Sequence, residues 1–195
     1  SELEADIEIQ FRQRNLLITY HPVTLDKQGS TVELTTLLEA LDALGLDVGL
    51  FFTQANADPG GSHITRMVNE WVASHSNAAV FTSLGQQRYL SLMNEVDVVV
   101  GNSSSGLYEA PSMHTPTVDI GDRQKGRLAT SSVIHCESKL SDIKEAIRAA
   151  WQLNVSCVES PYGDGSATQR IIEAIVAIPD PHKLLKKRFH LLSHG

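Results

Sequence analysis

Val96-Asp97-Val98-Val99-Val100-Gly101-Asn102-Ser103-Ser104-Ser105-Gly106 is the stretch on which the fold turns. The near-continuous apolar run 96–100, rich in β-branched valine, predicts a strand covered on both faces, as in a parallel sheet. Small polar residues follow, and a helix is expected to open at Ser105 and run to His114. Strand, polar turn and helix in that order make one βαβ step.

The same step recurs outward in both directions. Strands are predicted at 15–20, 47–53, 78–82, 96–101 and 116–120, with a short sixth near 133–135. Helices are predicted at 31–44, 62–73, 86–95, 105–114, 140–153, 167–177 and 183–192. Val32, Leu34, Leu37, Leu38, Leu41 and Leu44 form a broad apolar stripe at helical period, which Gly45 stops. The fold class is therefore α/β, a three-layer Rossmann-like parallel sheet. At 195 residues and 42% hydrophobic content the chain can bury one core, roughly 70% of its unfolded surface, without disulfides or metals. Residues 14–180 are expected to form that domain. Residues 1–13 read as a linker or partial helix arriving from elsewhere, and 181–195 as a terminal helix and tail.

Composition excludes several classes of function. The net charge is −7, and no Lys/Arg run is interleaved with aromatics, so nucleic acid is not an expected partner. The densest basic stretch, Lys183 to Arg188, sits at helical spacing beside Leu184, Leu185 and Phe189 and reads as a solvated helix face. No apolar run is long enough to span a bilayer, and the acidic start does not resemble a signal peptide, so a cytoplasmic setting is expected. Cys136 and Cys157 are then expected as free thiols, although a bridge between them is not excluded by sequence. His190 and His194 lie four apart but in the last six residues, and no metal site or other cofactor is called for.

In an open parallel sheet, ligands bind outside the carboxyl ends of the strands, so the loops leaving those ends are where function should gather. Strand one runs into His21-Pro22-Val23-Thr24, strand two into Gln54 through Gly61, strand four into Asn102 through Gly106, and strand five into Gly121 through Arg127. Small residues in the strand-four turn let backbone approach a ligand while the following helix offers free amides and its positive end. Three serine hydroxyls add donors, and Arg123 or Arg127 could grip an anion in a planar, charge-assisted way. An ordinary serine-capped turn has the same letters. Glu109, a turn further on, would be repelled by a diphosphate and suits a pair of sugar or ribose hydroxyls, unless it is simply a solvated helix acid. His21, at a strand end, can donate to a phosphate or protonate a leaving group near neutral pH, or serve only its own loop.

Together these loops resemble the UDP-N-acetylglucosamine 2-epimerases, in particular the hydrolysing branch associated with sialic-acid-type sugars. The resemblance is carried by the stretch from Asn15 to Thr24, by Val100 through Gly106, by Glu109-Ala110-Pro111-Ser112, by Thr117 through Arg127, and by Ser160-Pro161-Tyr162-Gly163-Asp164-Gly165. It implies a GT-B architecture (UDP-glycosyltransferase/glycogen phosphorylase-like), in which two Rossmann-like lobes enclose a nucleotide sugar and this chain is the C-terminal lobe alone. It further implies that Ser103 and Ser104 hold the diphosphate and Glu109 the ribose hydroxyls, with Arg123 supporting the nucleotide. Leu84 would offer backbone to uracil, with Tyr89 near the base, Asn56 in the pocket, and His21 as the catalytic group at the sugar-phosphate end. The implied reaction eliminates UDP to leave a 2-acetamidoglucal, then adds water to give free N-acetylmannosamine. The carboxylates that move the carbon-bound proton would belong to the missing N-terminal lobe, so the isolated chain is expected to be largely inactive. Met113-His114 departs from the bulky-apolar-plus-glycine pair usual there. His114, at a helix end away from the ligand edge, is not expected to act as a base.

Four other readings share these residues: a hydrolysing epimerase for a diacetamido UDP-sugar, a non-hydrolysing UDP-GlcNAc 2-epimerase, a GT-B glycosyltransferase, and a non-catalytic nucleotide-sugar binding module. The loop His21-Pro22-Val23-Thr24 favours the hydrolysing branch over the non-hydrolysing one. Self-association through the uncovered cleft face is left open.

Overall fold

The computed structural model describes residues 2–23, 27–54 and 61–185. Six parallel strands, β1 (Arg14–Thr19), β2 (Val48–Thr53), β3 (Ala78–Phe81), β4 (Val98–Gly101), β5 (Thr117–Ile120) and β6 (Val133–Cys136), form one sheet in the order β3-β2-β1-β4-β5-β6. This is the doubly wound order of the Rossmann fold, with its reversal between β1 and β4, and that reversal opens a crevice at the carboxyl ends of those two strands. The helices are α1 (Glu2–Asp6), α2 (Lys27–Asp42), α3 (Gly61–Val72), α4 (Gly85–Glu95), α5 (Ser105–Tyr108), α6 (Leu140–Ala150) and α7 (Ala167–Val176).

Side-chain alternation along the strands sorts the core into two layers. Leu16, Ile18, Val98, Val100, Val118 and Ile120 face α2, α3 and α6, where they meet Leu34, Leu37, Leu41, Ile64, Ile143 and Ile147. Leu17, Phe51 and Val99 face the other way, against Leu84, Leu92, Met93 and Ala110. The three consecutive valines of β4 are at most 3% exposed, as a strand covered on both faces requires.

β4 begins two residues later than the apolar run suggests. Val96 closes α4, and Asp97 spends its carboxylate on the β1 entrance, accepting from the Asn15 amide at 2.8 Å and from Arg14 Nη1 at 2.6 Å. The helix expected over 105–114 is also corrected. It is a single α-turn followed by a 3-10 turn, Ala110–Met113, because Pro111 has no N–H to continue the ladder. His114 then leaves this turn in the left-handed region, at φ 52°.

Residues 2–13 lie on the lobe. Ile7 and Ile9 are buried in the second core layer, Asp6 holds Arg88 of α4 through both carboxylate oxygens at 2.7 and 2.9 Å, and Phe11 meets Phe51 edge-on at 5.6 Å. Two compact units are distinguishable, Ser1–Pro161 and Tyr162–Gly195. The second holds α7, at whose start Asp164 accepts from the Ser166 amide and from Arg170, and a 3-10 turn Pro181–Leu184 begun by Asp180 and Pro181. That turn stands where the helix 183–192 was expected to begin, and the rest of that expectation lies outside the described residues. Among the described residues no helix is long and apolar enough to cross a membrane.

Candidate nucleotide-binding site

The site is organised by Asn102, the first residue after β4, which is 1% exposed. Its side chain clasps the backbone of His21 in both directions. Oδ1 accepts from the His21 amide at 2.7 Å, and Nδ2 donates to the His21 carbonyl at 2.8 Å. Its own carbonyl accepts from Arg123 Nη1 at 3.0 Å and from Gln124 Nε2 at 2.7 Å. One residue thus joins the loops after β1, β4 and β5 at the crevice where the strand order reverses.

Gly101 makes that junction possible. It has φ +137°, and a Cβ built there would lie 2.0 Å from the Thr19 carbonyl oxygen. Only glycine permits both the backbone conformation and the contact between the β1 and β4 ends. Gly106, one turn on, is similarly confined by Thr117, whose hydroxyl donates to the Gly106 carbonyl at 2.9 Å. These two close approaches seat α5 on the sheet and hold the serine turn against it.

In the turn, Ser103 Oγ accepts from the Ser105 amide at 3.4 Å, and Ser105 Oγ lies 2.7 Å from the Tyr89 hydroxyl. Among the described residues, no hydrogen bond takes up the amides of Ser103 and Ser104. Burial raises the Tyr89 phenol above its ordinary value, the hydrogen bonds to Ser105 and Thr19 oppose that, and the Glu109 charge adds to it. Thr19, Ser105 and Glu109 therefore all lie within reach of the Tyr89 phenol. Glu109 itself is exposed at the end of α5. With only one α-turn behind the serines, the axial dipole is small, so local amides and hydroxyls supply the attraction for an anion.

Of the expected residues, His21, Ser103, Ser104 and Arg123 are brought together around Asn102, with Tyr89 and Glu109 beside the serine turn. His21 is 5% exposed, with its backbone held as described. Leu84 is 9% exposed and sits at the α4 N-terminus, on the loop after β3. Asn56 lies outside the described residues. Arg127, the alternative to Arg123, is instead engaged with α5, its guanidinium 5.6 Å from the Tyr108 ring and Nη1 donating to the Tyr108 hydroxyl at 3.2 Å. Arg123 also lines a hollow of about 180 Å³ with Val23, Gly29, Ser30, Glu33 and Asp122. Burial, then the Glu33 carboxylate that Tyr20 hydrogen-bonds, push the Tyr20 phenol far above its ordinary value, while the charge of Arg123 pulls it down. His114 accepts no place in the crevice, and its Nδ1 faces the Val155 carbonyl at 3.2 Å.

Asn102 has no role that the sequence pattern alone assigns. A polar residue directly after a buried strand was the available signal, and its burial was not readable. Gln124 was likewise missed, as was the pairing of Asp119 with His135.

The family model for UDP-N-acetylglucosamine 2-epimerase matches residues 1–176. The chain belongs to the UDP-N-acetylglucosamine 2-epimerase family. Among curated relatives, it is 42% identical over 146 residues to the GDP/UDP-N,N'-diacetylbacillosamine 2-epimerase (hydrolyzing) of Campylobacter jejuni, covering 74% of this chain and 37% of that protein. It is 27% identical over 171 residues to the UDP-N,N'-diacetylbacillosamine 2-epimerase (hydrolyzing) of Legionella pneumophila, covering 88% and 45%. The crystal structure of the Neisseria meningitidis UDP-GlcNAc 2-epimerase bound to UDP-GlcNAc superposes with a TM-score of 0.64 at 18% identity, over 90% of this chain and 47% of that one. The chain thus spans less than half the length of these epimerases, and its fold is one Rossmann-like lobe of the two-lobed GT-B architecture.

Proposed function

We propose that this chain is the nucleotide-binding C-terminal lobe of a hydrolysing UDP-sugar 2-epimerase, with residues 14–180 as the lobe, 1–13 as its connection to an N-terminal lobe and 181–195 as a terminal segment. The observation that carries the reading is the junction at Asn102, which sets the serine turn, the Arg123 guanidinium and the His21 loop around one point at the switch of strand order. Ser103 and Ser104 offer amide and hydroxyl donors, and Arg123 offers a cation, where negative charge grows as the diphosphate departs. Donors already fixed in place stabilise that charge without reorganising at the moment of reaction. His21 protonates or hydrogen-bonds the leaving oxygen. Glu109 takes the ribose hydroxyls, Leu84 and Tyr89 the uracil side, and Asn56 the pocket wall. The carbon-bound proton is moved by groups of the other lobe. A cytoplasmic setting goes with this reading, supported by Cys136 and Cys157, which are both unpaired.

For the sugar, a diacetamido UDP-hexose is favoured over UDP-N-acetylglucosamine, because both relatives named above carry diacetylbacillosamine in their names. UDP-N-acetylglucosamine is the second reading, supported by the family to which residues 1–176 match. Calorimetric titration of UDP against this chain, with Ser103→Ala and Arg123→Ala, tests the nucleotide site. Each variant should weaken UDP by about tenfold, the worth of one charge-assisted hydrogen bond. Equal binding by all three proteins would refute the assignment. Product analysis of a two-lobed parent protein with each sugar nucleotide decides the substrate, and turnover by the 195-residue chain at a comparable rate would refute the division of labour.

A further inference from the structure

The last full register row of the sheet carries chemistry that the proposed function leaves unused. Thr53, Thr19, Gly101, Asp119 and His135 pair successively across β2, β1, β4, β5 and β6. In-register residues of parallel neighbours point to the same face, here the face that α4 and α5 cover. The Thr53 and Thr19 hydroxyls bond each other, and Gly101 contributes no side chain. Asp119 therefore stands beside the strand end from which Asn102 and the serine turn depart. It is 6% exposed, and Oδ2 accepts from His135 Nδ1 at 3.2 Å, while Oδ1 is buried with no hydrogen-bond partner among the described residues. The His135 side chain is 50% exposed on the edge strand β6.

A buried carboxylate in this place opposes the ligand that the turn is proposed to hold. Neighbouring strands lie about 4.8 Å apart, and Ser103 is two residues beyond Gly101, so Asp119 and an anion on the turn are separated by on the order of 10 Å. At an effective dielectric near 20, one unit of like charge at that separation weakens binding by about tenfold. Such a penalty invites a compensating charge. His135 is the residue in contact.

We propose that Asp119 and His135 form a charge-compensating pair that sets how tightly the serine turn holds a diphosphate, the pair gaining a proton on His135 when the anion binds. The inference rests on the reading of the turn as a diphosphate site. The proton comes from solvent to Nε2 of the half-exposed ring, while Nδ1–H keeps its bond to Asp119. Burial pushes the Asp119 carboxyl above its ordinary value and His135 pulls it back down, so the two groups are already coupled before any ligand arrives. Titratable groups at this end of β5 among the described residues include Tyr108 and Glu109 of the α5 turn, Arg127 on the Tyr108 ring, Arg123 on the Asn102 carbonyl, Asp122 paired with Lys125 at 3.5 Å, and, behind the sheet, Cys136 and Asp142.

The test is calorimetry of UDP binding to the 195-residue chain from pH 5.5 to 8, in buffers of different ionisation enthalpy, for the wild type, Asp119→Asn and His135→Gln. Titration of free UDP is common to all three proteins and is subtracted from each. The wild type should take up a fraction of a proton that both variants lack. Asp119→Asn should bind UDP about tenfold more tightly than the wild type at pH 8, with the advantage shrinking toward pH 5.5. Should Asp119→Asn fail to fold, His135→Gln at its half-exposed position still reports the proton uptake. Equal uptake in wild type and His135→Gln, or unchanged affinity in a folded Asp119→Asn, overturns the inference alone. If no protein binds UDP at millimolar concentration, the diphosphate reading falls, and this inference with it.

Discussion

Replacing Asn102 with alanine should loosen the site and the fold together, by an amount the geometry allows to be worked out. The substitution removes two hydrogen bonds to the His21 backbone, at 2.7 and 2.8 Å, both made in a buried setting. Each is worth about 1 kcal/mol net, and stripping partners from buried amide and carbonyl groups adds a desolvation cost of about 1–3 kcal/mol, partly relieved by water entering at the sheet edge. The sum is about 3 kcal/mol. For a domain of this size that is a fall in melting temperature of about 6–12 °C. Thermal and urea unfolding followed by circular dichroism would measure it, with exposed Ser112→Ala as a control expected within about 0.5 kcal/mol. The same variant should weaken UDP binding, because His21 and the serine turn lose their common anchor. A loss of stability under 1 kcal/mol, with UDP affinity unchanged, would show that the clasp does not organise the crevice.

Gly101→Ala should cost more than about 3 kcal/mol or abolish soluble expression, since a Cβ 2.0 Å from the Thr19 carbonyl oxygen forces β1 and β4 apart. His114→Gly should leave stability unchanged or raise it by up to about 1 kcal/mol, because glycine relieves the left-handed conformation at φ 52°; a measured loss would show that the contact with Val155 matters more. Burial, with Asp119 and Asp142 nearby, pushes the Cys136 thiol up to about 12, so its thiolate is scarce at pH 8. Exposed Cys157 should therefore react with a disulfide reagent in the native protein and Cys136 only after unfolding, and two fast-reacting thiols would contradict this.

Much of the architecture was legible because its signals are local. The valines of β4, the leucine stripe of α2 and the polar loop after each strand report period and punctuation, which a sequence carries directly. Element ends were less legible. Asp97 reads as part of an apolar run until its carboxylate is seen capping the β1 entrance, and the 105–114 helix reads as continuous until Pro111 is weighed against the missing donor. Within the candidate site, the strand-end rule pointed to the loops that the structure brings together, those of His21, Ser103 and Arg123. The agent that assembles them could not be named that way. Asn102 acts through contacts with residues 81 positions before it and 21 and 22 after it, and nothing in local pattern encodes such separations. Asp119 and His135 were passed over for the same reason, since their meeting depends on the β5–β6 register.

The two ties at Asn102 differ in kind. Toward the first strand's loop it uses its amide group, which mutagenesis can delete, whereas toward the fifth strand's loop it uses a peptide oxygen that every amino acid possesses. Evolution or an engineer can therefore unfasten the histidine-bearing segment while leaving the arginine-bearing one docked, but no point substitution there achieves the converse. The His21 loop is thus held by the side chain of Asn102, whereas the loop after the fifth strand is held by its own Arg123 and Gln124 side chains and is indifferent to which residue stands at 102.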